Sequence, residues 1–294
     1  MSKAAAVKLS PVVKSLIGAP HALGSAIPKP APEKVHALFE KIRVKGEQGG
    51  VGPDSWLTLS TGSLVTVNSP ATLCSLFDYA SSRSEGLQGK INAAAVIRET
   101  ALKCISFSGI PRTINSLVAL RAHLPEDVKS GLGTEPTRQP TPDNVEATLA
   151  RGNGLWDAIY EPHSAKLLSK LSDAHPDLPV HILASHYSLL LSDPFGTSPP
   201  GGYKIGRVLT SVVAMACLRA QQGVAPQLTS HVFGLKKSLL EGGGAEGEQP
   251  VQGQEWLTSD DGVQWILEST DDISAVIGEG RSTFAGPTGV KAKL

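Results

Sequence analysis

Residues 98–117 have the sequence RETALKCISFSGIPRTINSL, and this stretch decides the fold. Apolar side chains lead into it and continue through it at every third or fourth position, the spacing of a helix with one face in a core. They are Ala94, Ile97, Ala101, Leu102 and Ile105. Gly109 interrupts the pattern, and Pro111 suits the first turn of a new helix because its missing N–H would have had no partner there. The stretch therefore predicts two consecutive helices separated at Gly109.

The composition of the whole chain favours a helical, globular protein. The 294 residues can bury a sizeable core, and only 5% of them are aromatic. The 27 basic and 27 acidic residues balance, so charge does not favour binding to nucleic acid or to an anionic membrane. No apolar run approaches the length that spans a bilayer.

Further helices are predicted on both sides of the opening stretch. They are 33–43, a helix starting at Ser69-Pro70, one capped by Asp143 or Asn144, 178–191, 206–222, one opened by Pro226 and one capped by Asp260 or Asp261. Segment 178–191 is nearly all apolar, and its length favours a buried helix over a strand. Gly- and Pro-rich sequence around 131–142 and 241–254 predicts linkers.

The opening stretch resembles a known family. Glu99, Gly109, Pro111 and Asn115 are similar in type and spacing to the E…GxPxxxN segment of the carboxymuconolactone decarboxylase and alkyl hydroperoxidase D superfamily. The combination also resembles a fungal branch of that superfamily, known as organellar proteins. A second family segment, an Arg-led helix followed by a helix with a His, is similar to the chain from Arg207 through His231 to Glu241.

This resemblance implies an all-α fold in which two related multi-helix modules of the alkyl hydroperoxidase D-like fold pack as one pseudo-symmetric unit. A pocket is expected at their junction. The implied organisation is a flexible N-terminal arm at 1–32, a first helical module at 33–130, a linker at 131–142, a second helical module at 143–280 and a flexible tail at 281–294.

The peroxidase chemistry of the hydroperoxidase branch is not expected. That branch has cysteines seven and four residues before its His, where this chain has Val224 and Gln227. Cys74, Cys104 and Cys217 are widely spaced, which predicts neither a disulfide framework nor a zinc site and is typical of a reducing compartment. The thiols are expected to pack as small apolar residues, and a redox protein would need two of them within disulfide distance.

Two functional hypotheses stay open. Resemblance to the decarboxylase branch implies a cofactor-free enzyme in which His231, with Glu99 or Arg112, moves protons on a small organic acid or an oxidised lipid fragment. Arg112 and Asn115, at the start of a helix, are candidate ligand-binding residues because N–H groups and a guanidinium can hold an anion. The alternative is a non-catalytic binding or scaffold protein that kept the fold, with His231 as a hydrogen-bonded core residue.

No cofactor and no metal are expected. Intervals of six and five residues separate His175, His181 and His186, with prolines between the first two. A metal-binding pair on one helix instead has its members four residues apart, so that both imidazoles point the same way.

Both ends of the chain resemble targeting signals. Ala292-Lys293-Leu294 resembles the Ser-Lys-Leu class of C-terminal peroxisomal address, so we expect the peroxisome matrix and an import receptor as partner. Residues 1–32 contain lysines and no acid, as a mitochondrial presequence does, which makes the mitochondrion the alternative. The other expected partners are a small-molecule ligand and a second copy of the chain in a homodimer.

Overall fold

A computed structural model of the chain describes residues 9–19, 26–194, 200–239 and 250–278. Within these ranges all regular structure is helical and no β-strand occurs, so the all-α prediction is confirmed. None of the described helices combines the length and apolar character that crossing a bilayer requires. The predicted import tripeptide Ala292-Lys293-Leu294 lies outside the described residues, as does Glu241.

The helices fall on either side of segment 132–144, which contains none. Those before it are α1 (Pro11–Ile17), α2 (Pro32–Gln48), α3 (Pro53–Thr66), α4 (Pro70–Ser81), α5 (Gly86–Lys103), α6 (Ile105–Ser108), α7 (Ile110–His123) and α8 (Glu126–Gly131). Those after it are α9 (Val145–Tyr160), α10 (Ser164–Ala174), α11 (Asp177–His181), a π-helix (Ile182–Leu191), α12 (Gly206–Gln221), α13 (Ala225–Lys237), α14 (Gln254–Leu257) and α15 (Asp260–Gly278).

The predicted break in the opening stretch is confirmed. Helix α6 ends before Gly109, and α7 starts at Ile110 with Pro111 in its first turn. Gly109 has φ +82°, a conformation that a residue with a side chain adopts only with strain. The glycine and the proline together therefore turn the chain from one helix into the next.

Helix α3 is central, and the apolar pattern did not predict it. Every residue from Ser55 to Thr66 is buried, and seven of its 14 residues are Ser, Thr or Gly. Because small side chains surround the helix, no apolar stripe marks it in the sequence. They also let α12 approach closely: a Cβ added at Gly62 would lie 3.1 Å from the Cβ of Ala216.

One large core contains residues from both predicted modules. Helix α3 packs against α5, α12 and α15, and α2 packs against α15. The indole of Trp265 is fully buried there and donates to the carbonyl oxygen of Ile42 at 3.1 Å. The core is therefore continuous across the predicted linker, and the pseudo-symmetric two-module arrangement stays a prediction.

A smaller core lies between α9 and the π-helix. Its buried members are Leu155, Trp156, Ile159, Tyr187 and Leu191. The helix predicted at 178–191 is present, although most of it has π geometry. Gly152 lets α9 approach the π-helix, since a Cβ there would lie 2.4 Å from the Cα of Ser188.

Candidate functional site

Aromatic and polar side chains meet where α9, the π-helix and α13 come together. The hydroxyl of Tyr187 donates to that of Tyr160 at 3.1 Å, and the Tyr160 hydroxyl lies 3.4 Å from Nε2 of His231. The Trp156 ring stacks on Tyr160 with centroids 4.1 Å apart, and Phe107 meets His231 edge-on at 5.7 Å. These ring contacts fix the orientation of what we call the Tyr160–His231 pair.

Burial sets the protonation states of the pair. The His231 side chain is only 3% exposed, and burial lowers its pKa to about 4, so the imidazole is neutral at pH 7. Burial also raises the pKa of Tyr160, which keeps the phenol protonated. Because Tyr187 donates to Tyr160, the Tyr160 proton is available to Nε2 of His231. Nδ1 then carries the imidazole proton, and it has no hydrogen-bond partner among the described residues.

A cleft of about 590 Å³ lies beside the pair, a volume in the usual range of ligand pockets. Tyr160 is one of the residues that line the cleft, and its hydroxyl lies 3.4 Å from Nε2 of His231. Apolar surface comes from Leu167 of α10 and from Phe233 of α13, which is 62% exposed. The cleft is therefore lined by Tyr160 together with exposed apolar surface.

The charges that line the cleft are mainly positive. They come from Lys166, Lys170 and Lys237, against the single carboxylate of Glu161. Nζ of Lys237 donates to the carbonyl oxygens of Ile159 at 2.9 Å and Glu161 at 2.6 Å, so that this charge lies at the C-terminal end of α9. An anionic group with an apolar part would match this lining.

Glu99 belongs to a different cluster, a buried ionic network. Its carboxylate pairs with the guanidinium of Arg138, which also lies 3.5 Å from Oδ1 of Asp193. Nζ of Lys103, fully buried, lies 2.9 Å from the same oxygen and donates to the carbonyl oxygen of Leu191 at 2.7 Å. This network joins α5 to the chain that follows the π-helix.

The candidate ligand-binding residues belong to α7 and contact the chain at the C-terminal end of α3. Arg112 donates to the carbonyl oxygen of Thr66, and the amide of Asn115 donates to Oδ1 of Asn68 at 3.1 Å. The described contacts therefore group Arg112 and Asn115 with α3, Glu99 with Arg138, and His231 with Tyr160.

Sequence analysis missed Tyr160, Tyr187 and Lys103. The four-residue spacing of Trp156 and Tyr160 on one helix face was a usable signal. A lysine between Leu102 and Cys104 on an otherwise core-facing helix was another, since a fully buried lysine needs partners. Among the described residues, no group of three or more His, Cys, Asp or Glu side chains is placed to hold a metal ion.

Comparison with known proteins finds a distant likeness to a yeast protein. The chain is 28% identical over 195 residues to Peroxisomal protein 2 of Saccharomyces cerevisiae; the match covers 58% of this chain and 63% of that protein. No family model and no solved structure matches the chain. The molecule is thus an all-helical protein with a distant likeness to a peroxisomal protein. The alkyl hydroperoxidase D-like family stays a prediction from the motif spacing.

Proposed function

We propose that the protein is a peroxisomal, cofactor-free acid–base enzyme that acts on a small organic acid or an oxidised lipid fragment. The observation that carries this proposal is the neutral His231 in contact with Tyr160, which lines the cleft. Lys166 and Lys170 would attract the carboxylate of the substrate, and Phe233 would contact its apolar part.

In this proposal Tyr160 touches the substrate. As its oxygen accepts a proton from the substrate, Nε2 of His231 takes the phenol proton, and the reverse transfer returns it. The Tyr187 hydroxyl donates to the phenol oxygen and would stabilise negative charge that develops there. We assign Glu99 a structural role rather than a catalytic one, because its carboxylate pairs with the guanidinium of Arg138.

Ligand binding without turnover is the second candidate function. It is supported by the burial of His231, whose Nε2 lies 3.4 Å from the Tyr160 hydroxyl. Both functions predict binding of an anionic, partly apolar ligand, and they differ in whether the bound ligand exchanges protons with solvent.

The test begins with a thermal-shift screen of the purified full chain against carboxylic acids of increasing chain length and their hydroxy and oxo derivatives. A ligand that binds the folded state raises the melting temperature. The double variant Lys166→Gln, Lys170→Gln is expected to lose the ligand-induced rise in melting temperature. Lys34→Gln, which removes an exposed charge on α2, should keep it.

Turnover of each hit is then followed by NMR as deuterium uptake from solvent or loss of carbon dioxide. Tyr160→Phe keeps the ring stacking, so binding should stay within about threefold while turnover falls by about 100-fold or more. Full turnover in Tyr160→Phe would refute the acid–base proposal. Binding with no turnover in the parent protein would leave the binding function.

The peroxisomal role is supported by the yeast relative and by the tripeptide Ala292-Lys293-Leu294. We propose the matrix as its compartment. A fluorescent protein that ends in residues 281–294 should colocalise with a peroxisomal marker, and Lys293→Glu should disperse it. Residues 1–32 fused in front of the same reporter test the mitochondrial alternative.

The two-module organisation is proposed on a local similarity. In the first half the long helix α5 is followed by the short α6, the chain passes Gly109 at φ +82°, and Pro111 lies in the first turn of α7. In the second half α12 ends at Gln221, Gln222 and Gly223 follow with φ +65° and +72°, and Pro226 lies in the first turn of α13. The matching order supports two related helix pairs, each with a sharp break between its helices.

A further inference from the structure

A buried pair of cysteines lies in the large core, apart from the cleft. Cys104, at the junction of α5 and α6, and Cys217, in α12, are 113 residues apart in sequence, yet their sulfur atoms are 3.5 Å apart. Both residues are 0% exposed. A disulfide has its sulfurs about 2.05 Å apart, so an approach of about 1.5 Å would allow the bond.

The surroundings make the two thiols unequal. Burial and the neighbouring Cys217 raise the pKa of Cys104, whose sulfur lies 3.2 Å from the carbonyl oxygen of Thr100. Burial also acts on Cys217, but hydrogen bonds with Cys104, Thr66 and Ser108 outweigh it and lower the pKa of Cys217. The hydroxyls of Thr66 and Ser108 are themselves 2.7 Å apart. Cys217 is therefore the better nucleophile of the two.

We propose that Cys104 and Cys217 form an oxidation-sensitive dithiol that hydrogen peroxide converts into a disulfide between α12 and the α5–α6 junction. The proposal is independent of the proposed acid–base function. It also differs from a pair of cysteines on one helical face, because the two sulfurs come from helices in different halves of the chain.

The oxidation balances with one peroxide. The Cys217 thiolate attacks one peroxide oxygen; an S–O bond forms, the O–O bond breaks, and the leaving hydroxide takes the former thiol proton to become water. The Cys104 thiol then attacks the sulfur of this sulfenic acid; the S–S bond forms, and the hydroxyl leaves with the Cys104 proton as a second water. Two electrons pass from the two sulfurs to the peroxide.

The bond would restrict the unfolded chain. It closes a loop that spans 113 residues, and such a long loop gives a large loss of unfolded-state entropy. We expect the melting temperature of the oxidised protein to exceed that of the reduced protein by roughly 10 °C. The shift should disappear when dithiothreitol reduces the bond.

The test treats the reduced full chain with a small excess of hydrogen peroxide, unfolds it in the presence of N-ethylmaleimide and measures its mass. The expected product carries one maleimide, on Cys74, and peptide mapping finds a Cys104–Cys217 cross-link. Cys74 is the internal control, since it is only half-buried and burial raises its pKa to about 11.

The parent protein provides the decisive measurements, so a variant that fails to fold does not obscure the result. In Cys74→Ser, the cross-link and the shift in melting temperature should both persist. The peroxide treatment is set so that it fully oxidises the amino acid cysteine in solution. Three maleimides per chain after this treatment would overturn the proposal. A cross-link through Cys74 would overturn it as well.

Discussion

Lys103→Met should destabilise the protein strongly, because the lysine is the buried cation of the ionic network. Its Nζ is 2.9 Å from Oδ1 of Asp193 and donates to the Leu191 carbonyl at 2.7 Å and to Oγ1 of Thr210 at 2.9 Å. Methionine keeps the length of the side chain and removes the charge, so Asp193 loses its nearest cation. Removing one partner of a buried ion pair costs about 3–5 kcal/mol in the free energy of unfolding.

The loss of stability caused by Lys103→Met should be larger at neutral pH than at acidic pH. Burial disfavours the Asp193 carboxylate, but Lys103, the N–H of Gly206 and Arg138 together hold its pKa below the ordinary value. In the parent, this contribution to stability is present above the unfolded-state pKa of about 4 and is lost as pH falls through the folded-state value. Without Lys103 we expect burial to raise the pKa, so the deficit is largest near pH 7 and shrinks below about pH 5 as the carboxylate is protonated.

Urea unfolding of the parent and of Lys103→Met at pH 7 and pH 4 measures both effects. Lys34→Met, at an exposed position of α2, should change the free energy of unfolding by less than about 0.5 kcal/mol. Adding Asp193→Asn to Lys103→Met should recover part of the loss, since the amide needs no counter-ion. A loss below about 1 kcal/mol, or a loss equal at both pH values, would refute the reasoning about this network.

Two further predictions concern the packing and protonation around the Tyr160–His231 pair. In the parent, His231 has a pKa of about 4 when folded, so its burial destabilises the protein as pH falls from 6.5 towards 4. His231→Gln should remove about 3 kcal/mol of that pH dependence, measured as the difference between the two unfolding curves at each pH. Gly152→Ala should destabilise the protein by about 3 kcal/mol, because the new Cβ would lie 2.4 Å from the Cα of Ser188. Gly154→Ala, on the same helix with nothing within 4 Å, should be neutral or stabilising by up to about 1 kcal/mol, and equal melting temperatures for the two alanine variants would contradict the packing described.

The parts of the fold predicted from the sequence are those that local chemistry determines. Gly109 and Pro111 mark a helix break because each restricts the backbone at its own position, whatever surrounds it. Pro70 and Pro226 open helices for the same reason. Helix α3 was missed because Ser, Thr and Gly side chains cover it, and their burial depends on α12 and α15 rather than on their own hydrophobicity.

The partners of the site residues were not predictable in the same way. His231 was identified as a candidate, yet its contact with Tyr160 joins positions 71 residues apart, and the pairing of Cys104 with Cys217 spans 113. No periodicity within a helix encodes such a contact, since it depends on how whole helices cross. The Glu99–Arg138 pair likewise joins α5 to a segment whose composition predicted only a linker.

The middle of the opening stretch explains why so many of these contacts coincide. Four of the residues 103–107 contact the second half of the chain. Lys103 lies against Asp193, Cys104 against Cys217, the Ser106 hydroxyl 3.0 Å from Nδ1 of His186, and Phe107 against His231. The geometry follows from the short α6, which lies between the end of α5 and the break at Gly109 and so presents side chains in several directions. A continuous α5 would place positions 103 and 107 on one face, whereas the observed turn divides them between the ionic network and the Tyr160–His231 pair. The junction of α5 and α6 thus places the ionic network, the Cys104–Cys217 pair and the wall of the histidine site next to one another.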